Sequence, residues 1–347
     1  MTAGTPTRTP GQASPRTRHG LWWVAPRLLP LGVAVVAVSS DGYWHAVVAR
    51  MLPLALLAIS VAVVTGWAGL PTLGQVAPYA AGAYTTARLA LAGHTLAPVQ
   101  LAAAAVVGAV TAGLLGVILV RYRGTVVLML TLAAAELTTI TATQWRTVSG
   151  GTDGLAGIPA PHLLPGTPPL IADRPVLLYT ATITIAATVG AGLLLHRHRL
   201  LLTAIQGNEA RAAASGHPVT TYLWVVHTGA GALAGIAGAL LIHTHRWITP
   251  ADVGFETAAL ALLAVVIGGT RSLPGAAAAA LIVLAVRDVA AAEWPGHAPL
   301  LLGVLFVAAV YLLPGGLTIL PARLCTAAGR ARAAQRRFPL PSAWRSA

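Results

Sequence analysis

The sequence predicts an all-α, polytopic integral membrane protein of about ten transmembrane or broken helices, with both termini inside. Three observations predict it. Hydrophobic residues make up 56% of the 347, charged residues only 9%, and mean hydropathy is +0.75, whereas a soluble domain carries roughly a quarter charged residues. Apolar runs of spanning length recur along the chain, at about 20 residues for each crossing. Arginine gathers in alternate polar breaks between those runs.

Bounding the runs by their polar breaks places spans at 22–40, 45–65, 74–93, 98–119, 125–144, 176–195, 219–242, 256–269, 275–292 and 298–317. Arg27 and two prolines interrupt the first of these. The eighth is short and is expected to be re-entrant or broken if it does not cross fully. Residues 1–21 read as a disordered cytoplasmic arm, 22–320 as the membrane domain and 321–347 as a basic cytoplasmic tail. The arm has no apolar core and is not a cleavable signal peptide.

Orientation follows from arginine. An N-in chain of ten alternating spans puts 66–73, 120–124, 196–218, 270–274 and the tail inside. Those segments and the N-terminal stretch through Arg27 hold 16 of the 22 arginines. Among the nine acids only Glu209 falls clearly inside; arginine decides the side and the acids merely agree. This placement also gives the net charge of +13 a membrane explanation. Basic flanks face the cytoplasm and anionic lipid, and no nucleic-acid partner is expected.

Absences narrow the chemistry. The chain has no lysine, so neither a Walker A phosphate loop nor a Schiff-base lysine is available. If ATP drives this protein, another polypeptide hydrolyses it. Cys325 is the single cysteine, which rules out an intrachain disulfide and a thiolate cluster. His196 and His198 flank Arg197 and read as a basic turn rather than a metal site, which needs three or four ligands. No hydrolase triad spacing or HExxH is present, so catalytic residues, metals and cofactors are none.

Against this apolar background one polar island stands out, residues 201–216, LLTAIQGNEARAAASG. Its Ala, Gln, Glu and Arg favour helix, and Gly216 followed by Pro218 supplies a stop. A single surface helix is predicted there, of the kind a transport permease offers to a motor subunit. Two other loops are rich in glycine: GWAGLPTLGQ at 66–75 and GGTRSLPG at 268–275. Each follows an apolar span and leads into small residues, which suits close helix packing, a distant internal duplication or a broken helix at a substrate site. Within the spans, Glu136 is a costly carboxylate that needs a polar cavity or a partner. Thr138, Thr139, Thr141 and Thr143 follow it. Arg88 is a possible partner for Glu136, or else snorkels to the surface. The long external loop 146–175 docks another protein, closes the outer mouth of the pathway, or covers helix ends.

The order of these landmarks resembles the permeases of branched-chain amino-acid ABC importers, especially the longer of their two permease types. The matching elements are GWAGLPTLGQVAPYAAGAY from Gly66, RYRGTVVLMLTLAAAE from Arg121, SGGTDGLAGIP from Ser149 and AIQGNEARAAASG from Ala204. AGIAGALL from Ala234, VVIGGTRSLPG from Val265 and LLPGGL from Leu312 complete the series. The resemblance implies a non-catalytic half of an importer in the cell inner (plasma) membrane. It implies a second permease subunit, ATP-binding-cassette subunits and an extracytoplasmic substrate-binding protein as partners. It makes Asn208, Glu209, Ala212, Ala213 and Gly216 the candidates for coupling to the ATPase. Gly69, Thr72, Gly74, Gln75, Tyr84, Glu136, Gly268, Gly269 and Ser272 become candidates for the pathway or a subunit interface.

The chain departs from the family pattern at Thr72 (usually Ser), Pro78 (an aromatic), Arg271 (often Gly) and Ala276 (often Pro). Pro78 is expected to kink the third span. The implied substrate is a branched-chain amino acid or a related amino acid, urea or amide. The alternative is an ion-coupled secondary transporter of small polar solutes with Glu136 as the ion-linked group. That alternative leaves the polar island without a task.

Overall fold

The computed structural model describes residues 42–293 and four further helical positions, Leu300, Gly303, Val304 and Val307. The expected first span, most of the tenth, the arm and the tail lie outside the described residues. Among the described residues there are helices, turns and two isolated bridges, but no strand.

In chain order the helices are α1 (Gly42–Ala62, continued by a π-helical turn Val63–Ala68), α2 (Val76–Leu91), α3 (Ala97–Leu119) and α4 (Thr125–Gln144). The short α5 (Arg146–Ser149) precedes α6 (Asp173–Arg197). Then come α7 (Arg199–Gly207), α8 (Glu209–Ala214), α9 (Val219–His245), α10 (Phe255–Gly268) and α11 (Leu273–Glu293). Eight of the predicted spans, from 45–65 to 275–292, thus coincide with helices. Six segments among the described residues are long and apolar enough to cross a membrane: Gly42–Ala68, Ala97–Leu119, Thr125–Gln144, Asp173–Arg197, Val219–His245 and Pro250–Gly268. The eighth span proves longer than predicted, because a 3-10 turn, Pro250–Val253, precedes α10.

Two expectations need correction. Pro78 does not kink its helix. It is the third residue of α2, inside the first turn, where an N–H has no intrahelical acceptor to lose. The polar island is not one helix either. Asn208 leaves the helical region (φ −165°, ψ 103°) and ends α7, and its Oδ1 accepts the Arg211 N–H at 2.9 Å to cap α8. Asparagine competes with helix hydrogen bonding in this way and favours caps over helix interiors.

The bundle is assembled on α9, which packs against α1, α2 and α3. Its glycines let two neighbours approach to backbone contact. A Cβ at Gly235 would collide with the Ala104 carbonyl, and one at Gly82 would sit 2.6 Å from Gly235 Cα. Likewise, a Cβ on Gly108 would lie 2.6 Å from the Gly231 carbonyl, and one on Gly238 only 2.7 Å from the Ala83 nitrogen. Small residues associate membrane helices through such close packing, since lipid supplies no hydrophobic drive between them. The Trp224 indole N–H, donated to the Gly113 carbonyl at 2.8 Å, joins the same seam.

The loops gather into two groups. One joins 66–75, 120–124, 199–217 and 268–275, as described below. The other joins 94–97, 145–171 and 246–254. There Leu96 bridges His162, Leu155 and Ile248 exchange two backbone bonds of 2.9 and 3.0 Å, and Arg246 donates to the Leu170 carbonyl. The alternation read from the sequence assigns those two groups to opposite sides.

The seam yields a prediction. Gly235→Val should cost about 3 kcal/mol, the upper end for overpacking a tight core, because backbone on both sides must move. Gly229→Ala on the same helix meets open space and should leave stability unchanged. Thermal unfolding of both variants in detergent, followed by monodisperse yield, checks this.

Candidate functional site

At one end of the bundle, α7 and α8 lie across the feet of the spans. Leu202, Ile205 and Ala212 are buried beneath them, while Leu200, Asn208, Ala213 and Gly216 are exposed. Ala212 therefore anchors the segment, and the other four belong to its outward face. Glu209 opens α8, where its charge complements the helix N-terminus. Its Oε1 accepts from Arg123 Nε at 2.6 Å. The same guanidinium donates to the carbonyls of Val120 and Tyr122, so the 120–124 turn is fastened to α8. Both charged side chains are more than a third exposed, which limits the pair to about 0–1 kcal/mol and makes it a positional device. Gly216 adopts φ +82°, and the N–H groups of Gly216 and His217 bond the carbonyls of Ala213 and Ala212. This left-handed stop favours glycine.

The two glycine loops meet at this end. Gly69 (φ +73°) closes the π-helical turn, and Gly269 (φ +94°) ends α10. A Cβ on Gly66 would collide with the Thr270 carbonyl, and Gly268 and Gly275 exclude each other's side chains in the α10–α11 turn. Each loop is pinned by a hydroxyl accepting from a downstream glycine: Thr72 Oγ1 from Gly74 N at 3.0 Å, and Ser272 Oγ from Gly275 N at 3.1 Å. Thr131 Oγ1 accepts the Leu73 N–H at 3.2 Å and ties α4 to the first loop. Of the candidates singled out from the sequence, six form turns or close contacts here: Gly69, Thr72, Gly74, Gly268, Gly269 and Ser272.

Gln75 leads inward. Its Oε1 accepts from Ser60 Oγ at 3.2 Å, and its Nε2 lies 3.4 Å from His227 Nδ1, all three side chains being buried. Further along α9, His243 Nε2 lies 2.7 Å from Gln100 Oε1 and its Nδ1 lies 3.1 Å from Tyr179 OH. Gln100 Nε2 donates onward to the His94 carbonyl at 2.7 Å. Tyr84 is buried on α2, with a hydroxyl that has no hydrogen-bond partner among the described residues. Beside His243, at the opposite end from α7 and α8, a cavity of about 280 Å³ is lined by Arg50, Asp173, Thr244, His245 and Arg246 among others. The site offers hydrogen bonds and shape rather than reactive groups. Among the described residues no three His, Cys, Asp or Glu side chains converge as a metal site would need.

Glu136 stands apart. It lies on the exposed face of α4 beside Leu137 and Ile140, without an ion pair among the described residues. Arg88 is not its partner. That guanidinium reaches the far end of α2 and donates to the carbonyls of Val148, at 2.7 Å, and Thr147. The threonines after Glu136 return their hydroxyls to their own helix: Thr138 to Ala134, Thr139 to Ala135 and Thr143 to Ile140. The loop that Arg88 clamps is itself fastened to the bundle. Ser149 Oγ donates to the Trp145 carbonyl at 2.8 Å, and Gly154 fits so closely on Ile248 that a Cβ would strike its carbonyl.

The sequence that builds this arrangement matches known proteins. A family model described as branched-chain amino acid transport system / permease component matches residues 44–310. The chain belongs to this family. It is 27% identical over 320 residues to the high-affinity branched-chain amino acid transport system permease protein LivM of Salmonella typhimurium, with 84% of this chain and 73% of the relative covered. The LivM protein of Escherichia coli K12 matches with the same identity and coverage. No solved structure matches. The permease is accordingly a transport component and a multi-pass protein of the inner membrane.

Gln206, His227, His243 and Gln100 are the site residues that sequence reasoning passed over. The histidines were visible as polar residues inside an apolar run, the signal that drew attention to Glu136. Gln206 sat within a quoted motif, but its partners, 140 and 65 residues away in the chain, left no local trace.

The buried glutamine gives a test. Gln75→Leu strands Ser60 and His227 in the core and should cost about 1–3 kcal/mol. Thermal unfolding of the purified permease without substrate should register that loss; unchanged stability would mean that Gln75 faces a hydrated path instead.

Proposed function

We propose that this chain is a membrane-spanning permease subunit of an ABC importer for branched-chain or related amino acids, forming half of the translocation pathway. ATP hydrolysis resides on separate cassette subunits, and an extracytoplasmic binding protein delivers the solute. The observation that carries this reading is the α7–α8 segment. It is clamped to the permease by Ile205, Ala212 and the Arg123–Glu209 pair, yet turns Leu200, Ala213 and Gly216 outward. A short helical step of this kind, apolar beneath and small-residued above, suits a groove on a partner protein. We assign it to the cytoplasmic side with both termini, as the arginine distribution requires.

The face of α4 that carries Glu136 is assigned to the second permease. Met129, Leu137 and Ile140 are exposed there, and a carboxylate amid them is costly in lipid but tolerable at a hydrated subunit boundary. This position withdraws support from an ion-coupled reading, since Glu136 joins none of the buried polar groups around Gln75 and His243.

Gly216→Val strains the left-handed stop, and Glu209→Lys repels Arg123 and reverses charge at the α8 N-terminus. Both variants should insert normally but recover less ATPase on co-purification and stimulate hydrolysis weakly in proteoliposomes. Normal assembly and full uptake by both would reduce the segment to a connector.

Topology is tested separately. Reporter fusions after Arg199 and Arg323 should report cytoplasm, and fusions near Asp153 and Asp252 the outside. Finding Arg199 and Asp153 on one side would overturn the alternation.

A further inference from the structure

The coupling segment touches both glycine loops through one side chain. Gln206 follows the buried Ile205 on α7 and is itself half-buried. Its Nε2 donates to the Gly66 carbonyl at 2.9 Å, and its Oε1 accepts from Arg271 Nη2. The Gly66 carbonyl needs an outside donor. The Leu70 N–H is taken by Val64, and Pro71 has none to give. The stem of Gln206 also lies over Gly69, whose absent Cβ would be 3.4 Å from its Cγ. Because Gly66 and Thr270 are already in backbone contact, the carboxamide spans two turns that are locked to each other. Arg271, a departure from the family pattern, thereby finds its partner inside this chain.

We propose that Gln206 is a positioning residue, a rigid strut that makes any displacement of α7–α8 a displacement of both glycine turns together. The inference rests on the transport reading above and deepens it by naming how motion enters the spans. The turns it grips end α1 and join α10 to α11, and the first leads to Gln75 and the buried Ser60–Gln75–His227 group. Arg123–Glu209 holds α8 to the 120–124 turn by a separate contact, so removing Gln206 leaves the outward face of the segment in place.

The test uses the complete importer in proteoliposomes, with the second permease, the ATPase and the binding protein. Gln206→Leu should assemble and hydrolyse ATP, while solute taken up per ATP falls about tenfold, within the range of coupling between sites. Arg271→Ala should lower the same ratio less and add nothing to Gln206→Leu in the double variant. A covalent replacement then separates a strut from a latch. In a Cys325→Ser background, Gly69→Cys with Gln206→Cys should couple when oxidised and lose coupling on reduction. A normal uptake-to-hydrolysis ratio in Gln206→Leu overturns the proposal, as does a disulfide that abolishes uptake which reduction restores. Should Gln206→Leu fail to assemble, the oxidised and reduced forms of the cysteine pair decide alone. An unmodified permease that never engages an ATPase defeats the transport reading instead, and the two failures are distinct.

Discussion

Backbone contact along α9 is the constraint on which the rest of the structure depends. Gly231, Gly235 and Gly238 present a surface with no side chains, against which α2 and α3 lie at distances a single methyl would forbid. In lipid the association of helices has no hydrophobic drive, so dispersion between closely fitted surfaces must supply it. That fit fixes the rotation of α9 about its axis, and the rotation decides where His227 and His243 point. Each histidine then meets a glutamine from another segment, Gln75 just before α2 or Gln100 in α3. The packing seam and the polar groups are two faces of one helix register.

Much of this architecture was legible in the sequence, for a physical reason. A bilayer demands about 20 apolar residues per crossing, so the bounds of α4, at 125–144, could be read directly, and those of its neighbours came within a few residues. Arginine, costly to translocate, assigns each group of loops to a side, an assignment that rests on the sequence. The break at Asn208 was missed because Ala, Gln and Glu on both sides favour helix, while the capping bond to Arg211 is a local competition that propensity does not resolve. The supposed Arg88–Glu136 pair failed because a flexible guanidinium takes whichever acceptors lie at its helix end, here two loop carbonyls.

What sequence could not reveal are partnerships across long separations. Glycine loops 66–75 and 268–275 looked alike, yet nothing local said that they would touch, or that Gln206 would reach both. Glycine at 66 is required by the Thr270 carbonyl rather than by its own backbone angles. Most of the candidates chosen for a pathway or subunit interface also sit in turns or at close helix contacts. The polar interior joins one of them, Gln75, to Ser60 and His227, and pairs Gln100 with His243.

The π-helical turn at 63–68 carries a consequence of its own. Winding wider than an α-helix, it uses one more residue per turn than the ladder above it. In α winding the Gly66 carbonyl would be consumed by Leu70 within its own helix. The wider turn and its left-handed stop at Gly69 instead give both Gly69 and Leu70 to Val64 and leave Gly66 open to Gln206. Chain length, not side-chain chemistry, thus creates the attachment point. Deleting one residue here would let the helix close upon itself and erase the acceptor, although every named side chain remained. Homologous chains of this family can be expected to tolerate exchange of residues between 63 and 68 more readily than a change in their number.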